Sequence, residues 1–410
     1  MICCRRPSLR AMDKPFENEK VETFKKMLQT DGAAATAAKI QSYLKEQNDI
    51  PVNIGITGES GSGKSTFVNA FRGVDNKDES AAPTGCVETT AEVKAYPHPN
   101  YPNVTLWDLP GIGTTNFPAH QYLKHVGFER FDFFIIISAD RFRENDVKLA
   151  KEIQKMEKKF YFVRSKIDNN MRDEERSHKD FNAEKTLQRI KQNCVQGLEK
   201  EGFKSPQVFL MSSVDLHLYD FHLLEETLER ELPAHKRHAL LMALPNVNLG
   251  IINKKKEALQ ANIPLIALTS ALIAAVPVPL LSCAVDVLML VKATTEYKVT
   301  FGLDIESLQN LALSAGVPLE DLRAVMESPL ALEEINYDLI YNMLNVPMFK
   351  ASTPEQKVAT FLSYIPIIGI PAAMALSFES TSKALNHFLN MLAEDAQRVF
   401  RKALGLNTSV

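Results

Sequence analysis

The stretch Val52-Asn53-Ile54-Gly55-Ile56-Thr57-Gly58-Glu59-Ser60-Gly61-Ser62-Gly63-Lys64-Ser65 decides the fold class. Its first six residues form an apolar, β-rich run that reads as a strand. The remaining eight match G-x-x-x-x-G-K-[ST], and Thr66-Phe67-Val68-Asn69-Ala70-Phe71 opens a helix behind them. Strand, glycine-rich loop and helix together make a phosphate-binding loop. Its glycines let successive backbone N–H groups turn inward, and the helix N-terminus adds partial positive charge. Gly58, Glu59, Ser60, Gly61, Ser62, Gly63, Lys64, Ser65 and Thr66 are the candidate cradle. Lys64 would reach the β- and γ-phosphates, and the Ser65 hydroxyl would ligate Mg²⁺. The chain therefore reads as a binder of a nucleoside triphosphate.

Working outward, short β-branched runs recur at 52–57, 91–96, 103–108, 132–138, 159–165 and 207–213, separated by polar helical stretches. That alternation predicts a mostly parallel sheet covered on both faces. A Pro/Asn-rich link at 97–103 predicts an antiparallel edge hairpin between the second and third runs. Beyond about residue 220 the pattern is helical: 222–231, 236–262, 265–298, 304–315, 319–327, 331–345, 354–365 and 372–404. Before the sheet, 1–15 reads as a disordered tail and 16–50 as helix with a break near Asp31-Gly32. The domain reading is tail 1–15, helical segment 16–50, nucleotide domain 51–235 and helical domain 236–410.

Further motifs cluster where strands end. Asp108-Leu109-Pro110-Gly111 closes the run Val104-Thr105-Leu106-Trp107 as a D-x-x-G element: Asp108 would hold Mg²⁺ through water, and the Gly111 N–H would sense the γ-phosphate. Ser165-Lys166-Ile167-Asp168 resembles the [NT]-K-x-D tetrad of GTPases. There the Asp168 carboxylate would accept from guanine N1–H and the N2 amine, with Lys166 along the base plane. Ser165 departs from the usual Asn or Thr but keeps a donor and an acceptor. Ser212 and Ser213 fall where the guanine O6 is contacted. Thr84 to Thr90 occupies the switch I position, with Thr90 preferred over Thr89 and Thr84 as the Mg²⁺ and γ-phosphate threonine. Ile112 stands where small GTPases carry a water-orienting glutamine, so intrinsic hydrolysis should be slow unless Glu88, Arg141, Arg143 or a second molecule contributes.

Composition narrows the rest. In 410 residues, 45% apolar and 24% charged describe a globular chain, and a net charge of −3 gives no electrostatic case for nucleic acid. Five cysteines, Cys3, Cys4, Cys86, Cys194 and Cys283, lack metal-ligand spacing and point to a reducing, cytosolic setting. The N-terminus has no secretory h-region, and Ile2 breaks the myristoylation pattern, leaving Cys3 and Cys4 as acylation candidates. Two uncharged segments, Ile263–Val285 and Phe361–Phe378, are interrupted by Pro264, Pro277, Pro279, Pro366 and Pro371. They read as buried helices rather than membrane spans, with membrane contact held open if the helical domain opens. His217, His222, His235 and His238 read as helix-end or surface residues, and Lys254-Lys255-Lys256 as a solvated helix face.

With these residues in place, the chain resembles the immunity-related GTPases, the interferon-inducible family of vertebrate cell-autonomous defence, in their G-K-S form. The resemblance covers nearly the whole chain. It rests on Gly58–Ser65, Thr84-Gly85-Cys86-Val87-Glu88, Trp107–Gly113, Tyr122-Leu123, Phe133–Ser138, Phe160–Lys166 and Leu232-Pro233. It implies an α/β P-loop, Ras-like G domain plus an all-α domain formed from both chain ends. It also implies GTP/GDP with Mg²⁺, GTP-dependent self-association through the G domain, and a cytoplasmic protein recruited to membranes of pathogen vacuoles. In such relatives a switch I glutamate, here Glu88, aids hydrolysis across the interface, so Glu88, Lys64 and Thr90 are the expected catalytic set. The alternative is a nucleotide-regulated binding module with negligible turnover. A third reading is direct membrane insertion by the apolar helices around 265–290.

Overall fold

The structure, a computed structural model, describes residues 14–85, 92–111, 126–139, 144–274, 281–344 and 372–405. The chain divides into two compact units. One comprises Gln47–Ile252 with Gly302–Val325 and Gln397–Val410; the other comprises Met1–Glu46, Asn253–Phe301 and Met326–Ala396.

The first unit holds a six-stranded sheet in the order β2-β3-β1-β4-β5-β6. The strands are β1 (Val52–Thr57), β2 (Lys94–Pro97), β3 (Val104–Asp108), β4 (Phe133–Ser138), β5 (Lys159–Arg164) and β6 (Val208–Leu210). Only β2 is antiparallel: it forms the expected hairpin with β3, with Lys94 opposite Asp108. The other neighbours pair in parallel, with Ile56 level with Asp108 and Ser138 level with Arg164.

Parallel strands buried on both faces read as continuous apolar runs, and β4 shows why. Phe133, Ile135 and Ile137 join one core with Phe67 and Phe71 of α2 (Lys64–Arg72), Leu224 of α6 (Phe221–Glu231) and Leu240 of α7 (Ala234–Ala243). Phe134 and Ile136 join the opposite core with Leu149 and Ile153 of α3 (Glu144–Lys155), Ile167 of α4 (Ile167–Ser177) and Leu198 of α5 (Ala183–Lys200). Gly55 lets this second face close: a Cβ there would lie 2.8 Å from the Phe134 ring.

The second unit is helical among its described residues. It holds most of α1 (Lys14–Asn48) and of α8 (Leu249–Ala274), with α9 (Leu281–Thr300), α12 (Pro329–Leu332), α13 (Tyr337–Leu344) and most of α14 (Ala372–Ala403). The short helices α10 (Ile305–Ala315) and α11 (Leu319–Ala324) belong to the sheet unit. Gly32 has φ 81° and ψ 174° inside α1, a kink at the expected break. Phe24 and Ile40 of α1 pack with Leu265, Leu268 and Leu272 of α8 and Phe378 of α14.

Four expectations for the helical stretches change, and the first is that 331–345 is two helices, α12 and α13, parted at 333–336. The stretch 236–262 is two helices, because Pro245 holds Leu244 at ψ 138° and ends α7; Asn248 Oδ1 then accepts from Ile251 N at 2.8 Å to start α8. Pro264 does not end α8. A mid-helix proline costs about 3 kcal/mol, whereas each fully buried Leu side chain contributes about 1.5–3 kcal/mol, and Leu265, Leu268 and Leu272 together outweigh it. Lys255 is not on a solvated face: it is 2% exposed and donates to Thr300 O at 3.1 Å. The 354–365 helix and the Pro277–Pro279 turn lie outside the described residues. Among the described residues, no helix is long and apolar enough to cross a membrane.

Candidate nucleotide-binding site

The described candidates gather beyond the carboxyl ends of β1, β3, β5 and β6, the edge where parallel α/β sheets receive ligands. The loop after β1 needs its glycines: Gly58, Gly61 and Gly63 have φ of 139°, 76° and 96°. At Gly58 a Cβ would also come within 2.1 Å of Ile137 O, so the loop lies directly on the end of β4.

Lys64, 6% exposed, folds back over this loop and donates to Gly58 O at 3.3 Å and Glu59 O at 3.0 Å. These acceptors are neutral carbonyls, so a phosphate oxygen would be a stronger partner for the same ammonium. Asn145 of α3 donates to Glu59 Oε1 at 3.1 Å and holds the loop from the side. In the first turn of α2, Ser65 Oγ donates to Asp108 Oδ2 at 2.6 Å, and Asp108 is wholly buried. A hydroxyl and a carboxylate converging at that distance are hard oxygen donors of the kind Mg²⁺ takes, so the residues present fit that ion. Gly111 approaches the loop closely: a Cβ on it would lie 2.9 Å from Ser60 N.

The tetrad after β5 is tied to the same loop. Ser165 Oγ donates to Ser62 O at 2.7 Å, and Lys166 Nζ to Gly61 O at 2.8 Å. Lys166 itself sits at φ 56° and starts α4 without a side-chain cap, which puts Asp168 in the first turn. Ile167 N donates to Met211 O at 3.1 Å, joining the tetrad to the end of β6. There Ser212 Oγ accepts from Val214 N and Asp215 N, shaping the turn, and Ser213 is buried beside it. The hydroxyls of Ser62 and Ser213 are buried with no hydrogen-bond partner among the described residues. Thr66 is half-buried at the start of α2.

Residues 17–403 match the family described as Interferon-inducible GTPase (IIGP). The chain belongs to the interferon-inducible GTPase family. It is 39% identical over 388 residues to Interferon-inducible GTPase 5 of Rattus norvegicus, covering 94% of this chain and 83% of the relative. Interferon-gamma-inducible GTPase 10 of Mus musculus is 37% identical over 399 residues, covering 97% and 92%. Interferon-inducible GTPase 1 of Mus musculus is 40% identical over 311 residues, covering 76% and 75%. As an interferon-inducible GTPase the chain acts on guanine nucleotide in the setting of immunity, and the strand-end cluster is its candidate site.

Glu88, Thr89, Thr90, Ile112, Arg141 and Arg143 lie outside the described residues, as do Cys3, Cys4 and Cys86. Sequence reasoning missed Arg164, Tyr219 and Asn145. Arg164 ends β5 only 6% exposed; a charge closing the apolar run Phe160–Val163 is the signal that could have found it, because a buried guanidinium needs partners. Tyr219 adopts φ 62°, and its phenol is pushed up by burial first and then by the carboxylates of Asp168 and Asp215. Among the described residues no cluster of three His, Cys, Asp or Glu could hold a metal; His217, His222 and His235 are exposed, while burial holds half-buried His238 below its usual range.

Proposed function

We propose that this interferon-inducible GTPase binds GTP with Mg²⁺ at the strand-end cluster, self-associates in the GTP-bound state, and hydrolyses GTP inside the assembly. The pairing of Ser65 with Asp108 at 2.6 Å beneath the Lys64 loop carries the reading, because it joins the cation and phosphate functions at one point. In this account Gly58 to Thr66 and Gly111 cradle the phosphates, and Ser65, Thr90 and Asp108 serve Mg²⁺. Ser165, Lys166, Asp168, Ser212 and Ser213 face the guanine. Mg²⁺, when bound, would neutralise charge on the β- and γ-phosphates. Lys64 would exchange its carbonyl acceptors for phosphate oxygens.

Ile112 motivates the dependence on assembly: an isoleucine cannot orient an attacking water, so Glu88 would act within a G-domain interface. The working domains are a GTPase domain over 51–235, with helical segments at 16–50 and 236–410. The site of action is the cytoplasmic face of intracellular, pathogen-vacuole membranes, reached peripherally, with Cys3 and Cys4 as acylation candidates. GTP turnover measured across a range of protein concentrations tests the mechanism. Specific activity rising with concentration is expected; a flat profile overturns it, and negligible turnover at every concentration favours a nucleotide-regulated binding module. Flotation with liposomes, with and without GTP, tests the membrane arm: GTP-dependent binding is expected, and its absence removes that arm.

A further inference from the structure

Arg164 stands at the last position of β5, level with Ser138 of β4 and Leu210 of β6. Its guanidinium donates in three directions. Nη1 reaches Ala139 O, just past β4, and Ser165 O at 2.8 Å; Nη2 reaches Asn170 Oδ1 at 2.8 Å, in the first turn of α4. Its backbone is engaged too, since Met211 N donates to Arg164 O at 2.9 Å and Met211 O in turn accepts from Ile167 N. One buried side chain thus joins the end of β4, the peptide of the tetrad and the start of the helix that carries Asp168.

The rest of the junction is held from the loop and from the neighbouring strands, with Ser165 N on Ser138 O at 2.8 Å and Ile167 N on Met211 O at 3.1 Å. Lys166 occupies the left-handed region, where a residue with a Cβ sits at a cost of the order of 1 kcal/mol, and it caps α4 with no side-chain bond. Ser165 is turned towards the loop rather than the helix: its hydroxyl donates to Ser62 O at 2.7 Å, with Ser138 O at 3.3 Å. The bond from Arg164 to Asn170 ties the first turn of this helix to the end of β5 through side chains, without occupying the helix's own N–H groups. A planar guanidinium can serve these diverging acceptors at once; an ammonium on a flexible stem cannot hold them in one geometry.

We propose that Arg164 is a positioning residue for base discrimination, fixing the turn that presents Asp168 to the guanine edge. It touches no nucleotide in this account; it acts through the tetrad. The inference rests on the reading of Asp168 as the guanine acceptor, and the test separates the two. Inosine triphosphate lacks the exocyclic amine of GTP, so the ratio of GTP to inosine triphosphate affinity reports how well the Asp168 carboxylate is aligned. The ratio is measured by equilibrium titration for the full chain and for Asp168→Ala, Arg164→Gln and Asn170→Ala.

Asp168→Ala is expected to abolish the preference for GTP. Arg164→Gln is expected to lower the ratio about tenfold, the scale of one charge-assisted hydrogen bond lost, with inosine triphosphate, which keeps only the N1–H partner of Asp168, weakened less than GTP. Asn170→Ala, which removes one acceptor and leaves Arg164 in place, is expected to lower it about threefold by the same reasoning. It carries the test should the arginine variant fail to fold. A loss of stability alone would weaken both nucleotides equally and leave the ratio where it was. Wild-type ratios in Arg164→Gln and Asn170→Ala, with a collapsed ratio in Asp168→Ala, would overturn the role of Arg164. An unchanged ratio in Asp168→Ala would overturn the guanine reading and the inference with it.

Discussion

At the strand ends of the sheet unit, and separately inside the helical unit, clustered polar side chains are satisfied in different ways. At the strand ends the two lysines and Ser165 lean on backbone: Lys64 on Gly58 O and Glu59 O, Lys166 on Gly61 O, Ser165 on Ser62 O. In the helical unit, Asp286 of α9 accepts from the hydroxyls of Ser270 on α8 and Ser377 on α14, the latter at 2.9 Å, and Thr381 donates to Ser270 Oγ at 3.4 Å. The first arrangement parks cations on weak neutral acceptors that an anion can replace. The second is closed upon itself and joins helices. The contrast separates the candidate nucleotide site from a polar contact that fixes packing.

The comparison breaks most readily at Lys64. Lys64→Ala should cost the site about 4 kcal/mol of triphosphate affinity, roughly a thousandfold, since more than one charge-assisted bond to phosphate would be lost. Equilibrium binding with labelled GTP checks it, with circular dichroism to show an unchanged fold; retained affinity would remove Lys64 from the site. Gly58→Ala should act on the fold itself, lowering stability by about 3 kcal/mol in thermal unfolding, because its Cβ would collide with Ile137 O at 2.1 Å and its φ is 139°.

The helical cluster should respond differently. Asp286→Ala strands the Ser270 and Ser377 hydroxyls and should destabilise by about 2 kcal/mol, with GTP affinity unchanged. Asp286→Asn keeps an acceptor and removes a charge, so its effect should be smallest, within about 1 kcal/mol of wild type and in the stabilising direction at neutral pH. The sign follows from the carboxyl itself, which desolvation raises above the usual carboxylate range against the pull of the two serine bonds. A raised folded value means that the native state holds this proton more tightly than the unfolded chain. The contribution is full below the unfolded carboxylate range and is lost as pH rises through the raised value. The gap between Asp286→Asn and wild type should therefore be widest at neutral pH and close on acidification, as thermal melts along a pH series would show.

Those two regions also differ in how much of them could be read from sequence. Strands β1, β3 and β5 run into residue types that the expected chemistry requires, so Gly58–Ser65, Asp108 and Ser165–Asp168 announced both those strand ends and the candidate site. The fully apolar Phe133–Ile137 run announced a strand covered on two faces. Arg164 escaped because nothing local says that a strand-terminal arginine turns inward; its partners Ala139 and Asn170 come from separate segments. Lys255 was missed for the same reason, since its acceptor, Thr300 O, lies on another helix. Pro264 misled because burial of the leucines after it overrides the local rule, whereas at Pro245 the local rule won. The pairing of Asp286 with Ser270 and Ser377 has no sequence signature at all: the three lie on separate helices, and only packing brings them together.

The central claim is that the strand-end cluster is a guanine-selective triphosphate site. Competition of labelled GTP, in the presence of Mg²⁺, by unlabelled GTP and by ATP tests it most directly. The account predicts displacement by GTP, little displacement by an equal excess of ATP, and weaker GTP binding when Mg²⁺ is chelated. Equal displacement by ATP and GTP, or binding indifferent to Mg²⁺, would contradict it.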